Sequence, residues 1–460
     1  MDLFDNVSPL DYRYYGRDKD FEKLKEYFSE NTRVKYLCMV ELALVKALAK
    51  RKVCSEKAVK EIEEAIGKVT AEEVYAEEDR TRHDIRSLAN CIRRKVSDES
   101  KPFVHFGATS FDIVDTANAL RMKKATQDLL VPKLLELEKT LIGIALREKE
   151  TLQIGRTHGQ HAEPLTFGFA VAGFASRLGG RIREINEKSE GLVGKFSGAV
   201  GAYNATSMLV ENPIELEAEI IGELGLKVSE SSTQIAEPEP MTDLMHAFTA
   251  CFGVLANLSD DFRNLQRSEI SEIAEAFGKE QVGSSTMPHK RNPLNFENVK
   301  SFWKHFMPQM TAVYLDQISD HQRDLTNSAS GRFFPEMPLA LYLCADRLDK
   351  TCRKMIVDKE SLQRNFGKNK DFVIAEPLYI LLALHNHPDA HEFVKQLTLK
   401  AQIEKKPLPL VVQEEPGMQE FLAKFTPEQR EIIEKPEKYL GKAVEKTERI
   451  CAHWKEELGT

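Results

Sequence analysis

LMHAFTACFGVLANLSDDFRNL, residues 244–265, places Leu244, Phe248, Cys251, Leu255, Leu258, Phe262 and Leu265 at alternating steps of four and three. Because a helix turns once in about 3.6 residues, that spacing keeps these side chains on one stripe of an α-helix. A strand would need every second residue apolar, and such alternation is short-lived almost everywhere in the chain. A second seam comprises Leu130, Leu134, Leu137, Leu141 and Ile144, and Pro132, which lacks an N–H, is expected to kink it early. The stretch from Phe167 to Ile185 is rich in small residues, including Gly168, Gly173, Gly179 and Gly180, which let neighbouring backbones approach. Seams this long predict an all-α fold around a long helix bundle. They also predict a homo-oligomer, since other copies of the chain can cover apolar faces left over by the first.

At 460 residues the chain exceeds one ordinary core and predicts two or three units. Turn signals at HFGATS and NFGKNK suggest three: an N-terminal helical domain over 1–110, a central helix-bundle domain over 111–364 and a C-terminal helical domain over 365–460. A net charge of -8 argues against a nucleic-acid partner, so an anionic substrate would have to be met by local cations. The seven cysteines show no CxxC spacing, which points to reduced thiols rather than a disulfide framework or a zinc module. The start, MDLFDNVSPLDYRYYG, has early acids and no apolar core of a signal peptide. No window reaches the roughly 18 apolar residues of a membrane span. The expectation is a cytoplasmic protein with no membrane partner.

The densest chemistry lies in Gly283-Ser284-Ser285-Thr286-Met287-Pro288-His289-Lys290-Arg291-Asn292-Pro293. Glycine and adjacent serines let the backbone aim N–H groups at an anion, and Pro288 and Pro293 break any helix that would hide them. Four further segments gather polar residues amid helical surroundings: Thr81-Arg82-His83-Asp84, His105 to Asp112, Arg156-Thr157-His158-Gly159-Gln160-His161-Ala162-Glu163-Pro164, and Arg323 to Arg332. Each alone could be a solvated face. Together, at predicted helix ends, they suggest a shared cleft. His158 is read as standing at the start of a helical pattern. His158 with His161, and His385 with His387 and His391, lack the companion ligands of a metal site, and no glycine-rich phosphate loop occurs. Neither a metal nor a cofactor is expected.

TRHD, the TS-x-D segment, RTHGQHAEP, the signature loop and RDLTNSASGR occur in the order in which they stand in adenylosuccinate lyases of the fumarase/aspartase superfamily, which the chain resembles over most of its length. The resemblance implies a three-domain all-α fold, a homotetramer with active sites shared between subunits, and no cofactor. It implies β-elimination of fumarate from adenylosuccinate, giving AMP, and from succinylaminoimidazole carboxamide ribotide (SAICAR), giving AICAR, in purine biosynthesis. The alternative is another superfamily lyase, or a carboxymuconate-type cycloisomerase, acting on a non-nucleotide dicarboxylate. Arg332 with Ser328 argues against it, since a hydroxyl and a forked guanidinium suit a phosphate.

By the same resemblance His158 is the proton donor to the leaving nitrogen, Glu297 the carboxylate that orients it, and Ser284 the base. A serine alkoxide needs stabilisation by backbone N–H groups and a cation such as Lys290. Lys290 and Asn292 would hold the substrate carboxylates. Substrate contacts are implied for Arg13, Tyr14, Arg82, His83, Asp84, His105, Thr109, Ser110, Gln234, Arg323, Ser328 and Arg332. The AEPEPMTDLM run after Gln234 departs from the more basic continuation of some members.

Overall fold

The computed structural model describes residues 8–16, 21–278, 280–287 and 289–459; Pro288, one of the two helix breakers of the signature loop, lies outside them. Helices dominate, and the strands that occur form three two-stranded sheets. The expected seams are the cores of real helices. Leu244, Phe248, Cys251, Leu255, Leu258 and Phe262 are buried along Glu239–Leu265. Leu134, Leu137, Leu141 and Ile144 are buried along Val131–Arg147.

Pro132 leaves its mark one turn upstream of the second seam. Residues Thr126–Leu130 form a π-helical turn between Ser110–Ala125 and Val131–Arg147, closed by the Val131 N–H on the Thr126 carbonyl. A proline cannot donate to the turn behind it, and a widened turn is one way for a helix to absorb that lost bond. Gly168 marks the closest backbone approach in this region: a Cβ there would lie 2.3 Å from the Ala145 carbonyl oxygen. At Gly179 the partner is a ring, because a Cβ would meet Trp454 at 2.5 Å.

The chain divides into two compact units whose boundaries fall inside helices. The first comprises the chain up to Leu135 with Gly180–Gly253 and Ser301–Asp346. The second comprises Glu136–Gly179, Val254–Lys300 and the chain from Arg347 onward. Within the second unit, Ile374, Leu378, Val394, Leu408, Val411 and Ile433 belong to an apolar cluster of their own. The terminal helix Ala443–Leu458 sends Trp454 to Ser176 Oγ at 3.2 Å. The turn expected in NFGKNK lies at Lys368 and Asn369, where the helix Lys359–Gly367 has ended.

Candidate active site

His158 does not begin a helix. Leu152–Thr157 and Gln160–Thr166 pair as an antiparallel hairpin, with Thr157 opposite Gln160, so His158 and Gly159 are its two-residue loop. Both have positive φ, 53° and 75°, as a type I′ turn requires. Glycine adopts this freely, and it is the His-Gly pair, rather than the commoner Asn-Gly, that concealed the hairpin in the sequence. The ring of His158 is exposed at the tip. Below it the register slips at Gly155, where a Cβ would meet the Glu163 carbonyl oxygen at 2.6 Å.

A buried carboxylate anchors the hairpin. Glu272 accepts both terminal nitrogens of Arg156, Gln153 Nε2 at 2.8 Å and Asn365 Nδ2 at 3.0 Å. Four charged or amide donors around one carboxylate satisfy its lone pairs and offset its removal from water. Sequence reasoning missed Glu272, which carries no motif.

The signature loop, in the same unit, is closed at its neck. Asn292 Nδ2 donates to the Gly283 carbonyl at 3.0 Å, and a Cβ on Gly283 would lie 2.0 Å from the Lys290 carbonyl oxygen. Inside the neck, Ser284 Oγ accepts the backbone N–H of Met287 at 3.1 Å and of Thr286 at 3.4 Å. Ser285 has no such partner among the described residues. Lys290 and Glu297 are exposed, and Glu297 stands in the first turn of Leu294–Phe306. Among the described residues, neither their side chains nor that of His158 forms a hydrogen bond or ion pair. A single chain therefore does not pair His158 with Glu297.

The other candidates all belong to the first unit. Arg82, with φ 55°, caps the helix Ala71–Thr81, and His83 caps the next, Asp84–Arg93, its Nδ1 accepting the Arg86 N–H at 3.3 Å. The Nε2 of His83 lies 3.5 Å from Ser110 Oγ, which brings the TRHD and TS-x-D segments together. Asp84 faces Arg33 at 3.6 Å. Thr109 heads the helix Ser110–Ala125, its N–H donating to Asp112 at 2.8 Å. Arg13 and Tyr14 lie on the short π-helix Leu10–Tyr14, with Tyr14 edge-on to Phe302 at 4.6 Å. Ser328 and Arg332 are exposed.

A buried network ties the helix Ser110–Ala125 to Gln234 and to the segment before Arg323. Lys195, with no exposed surface, donates to Asp112, to the Gly198 carbonyl at 3.1 Å and to the Gln234 carbonyl at 3.0 Å. The N–H of Gln234 in turn donates to the Gln322 carbonyl at 3.1 Å. Arg323, next along, stacks 4.2 Å from the centre of the Phe111 ring. Its Nε and Nη1 are buried and unpartnered among the described residues, and burial lowers its pKa. Burial pushes nearby Asp115 up to about 6, although it accepts the Ala236 N–H. A half-buried guanidinium with two buried donors to spare is a ready hook for an anion.

This architecture is that of the fumarase/aspartase class of lyases. The lactonizing enzyme for 3-carboxy-cis,cis-muconate from Pseudomonas putida matches it at TM-score 0.81 over 95% of this chain and 98% of that one, with 24% identity, a likeness of fold. The sequence matches the lyase family over residues 13–305 and the adenylosuccinate lyase C-terminal family over 319–429. The adenylosuccinate lyases of Pyrococcus horikoshii and Pyrococcus abyssi are each 34% identical to it, over 98% of this chain and 98% of their own. The chain belongs to the adenylosuccinate lyase family.

Proposed function

We propose that this chain releases fumarate from adenylosuccinate, giving AMP, and from SAICAR, giving AICAR, as a cytoplasmic homotetramer whose sites are shared between subunits. The observation that carries this reading is family membership at 34% identity along nearly the whole chain, with every candidate motif in place. Ser284 removes the proton beside the substrate carboxylate, and the two N–H groups on its Oγ favour the alkoxide that it must become. His158 protonates the leaving nitrogen. Lys290 and Asn292 hold the substrate carboxylates and the charge that develops as the proton leaves. Arg323, Ser328 and Arg332 take the phosphate.

Three observations support sharing between subunits. The candidate binding residues Arg13 to Ser110, Gln234 and Arg323 to Arg332 belong to one compact unit, while His158, Ser284, Lys290, Asn292 and Glu297 belong to the other. Glu297 has no partner within the described chain, so a histidine from another copy is free to meet it. Leu315, Ile318, Leu325 and Phe333, in and around the segment of the phosphate-binding candidates, are 58–70% exposed, apolar side chains that assembly would cover. The test is direct: purified protein given adenylosuccinate should form AMP and fumarate in equal amounts, followed by absorbance. No turnover of adenylosuccinate, alongside turnover of a carboxymuconate, would replace this reading with the dicarboxylate alternative.

A further inference from the structure

Helix Glu30–Lys50 carries a lone acid in its apolar run Met39-Val40-Glu41-Leu42-Ala43-Leu44-Val45. Glu41 is 2% exposed and grips one distant residue at two points. Its Oε1 lies 2.7 Å from His105 Nδ1, and its Oε2 accepts the His105 N–H at 3.1 Å. The grip fixes ring and main chain together, at a residue whose φ of 59° is left-handed. Nε2 has no partner among the described residues, and the side chain is 18% exposed.

We propose that Glu41 is a positioning residue: it holds His105 as an imidazolium and leaves Nε2–H to donate to an anionic group of the substrate. The inference rests on the reading of His105 as a substrate contact. A carboxylate removed from water is strongly unfavourable unless a positive charge pairs with it. The other charges around the pair do not fill that role. Arg93 donates Nη2 to the Val104 carbonyl at 3.1 Å, and among the described residues none of its nitrogens reaches ion-pair distance of Glu41. Asp112 adds a second negative charge and is bonded to Lys195. The Cys38 thiol, one turn away, is pushed up to about 12 by burial and by Glu41, and stays neutral. Burial and Arg93 oppose a charged ring, but the Glu41 charge, its hydrogen bond and Asp112 outweigh them, so the pKa of His105 is raised. With Nδ1–H committed to Glu41, a neutral ring would show a bare lone pair at Nε2, whereas the imidazolium shows a second donor.

The charge is present below the raised pKa and is lost as pH climbs through it, and Glu41→Gln should bring that loss to lower pH. In the full-length enzyme with adenylosuccinate, at a pH between the ring pKa of the wild type and that of the variant, KM should rise about tenfold or more, the loss of a charge-assisted hydrogen bond, while kcat changes less than about threefold. In a His105→Gln background, Glu41→Gln should add no further rise. Carbon-13 NMR of ring-labelled histidine reads the His105 titration without substrate, its resonance identified by its absence in His105→Gln. A wild-type ring titrating at or below the ordinary 6.5, or one unmoved by Glu41→Gln, overturns the inference. So does an equal KM rise in the His105→Gln background. A ring whose pKa falls while KM at that intermediate pH stays constant overturns it differently, by removing His105 from the substrate. Should Glu41→Gln fail to fold, the wild-type titration alone decides.

Discussion

Glu138 sits on the seam helix Val131–Arg147 with no exposed surface and no partner for either carboxylate oxygen among the described residues. Burial pushes its pKa from the ordinary 4.5 up to about 8. In the unfolded chain the proton leaves near 4.5, and in the folded chain it is kept to about 8, so stability falls as pH rises through that window and levels above it. At ~1.4 kcal/mol per pH unit, the loss between pH 5 and pH 8 is about 3–4 kcal/mol. Glu138→Met, unbranched and of similar length, removes the proton and the penalty. For 460 residues the unfolding entropy is about 1 kcal/mol/K, so the shift corresponds to about 3–4 °C. Melting temperatures of wild type and variant should be compared at both pH values. The difference, variant minus wild type, should be about 3–4 °C more positive at pH 8 than at pH 5. An equal difference at both, or a variant relatively worse at pH 8, would refute a neutral buried carboxyl.

Removing the acid or the base, by changing His158 or by Ser284→Ala, should lower kcat at least about 100-fold while substrate still binds; near-normal turnover in a folded variant would displace that residue from its role. Mixing the two inactive proteins should restore part of the activity once subunit exchange is verified by mass, and no recovery after exchange would argue against shared sites. Arg332→Ala should chiefly raise KM for adenylosuccinate, with lysine a partial rescue, because a point charge cannot reproduce the fork. If the variant lost as much activity toward dephosphorylated substrate, Arg332 would not be reading phosphate.

The helical seams were legible because the 3.6-residue period survives tertiary packing almost unchanged: Leu134, Leu137 and Leu141 are buried as their spacing requires. The candidate motifs were legible as chemistry but not as geometry. His83 and Ser110 meet across 27 residues, a contact that no spacing encodes. The hairpin under His158 was hidden because its turn lacks the usual asparagine or aspartate and Pro164 stands within its second strand. The supporting carboxylates escaped notice for another reason. Glu41 stands alone in an apolar run, while Glu138 beside Lys139 and Glu272 between Glu269 and Glu275 lie in charged stretches, and in either setting an acid looks like a solvated position until its burial is known.

Arg82, His105 and His158 share backbone angles that L-residues adopt reluctantly, at φ of 55°, 59° and 53°. Each pays up to about 1–2 kcal/mol that glycine would not. Laboratory evolution for heat tolerance alone should therefore drift toward glycine or asparagine at Arg82 and His158, gaining melting temperature while turnover declines, but not at His105, whose ring pairs the buried Glu41 carboxylate. A selection that rewards both properties should hold all three fixed. The sequences surviving the two regimes would then separate, position by position, what the chain keeps for endurance from what it keeps for work.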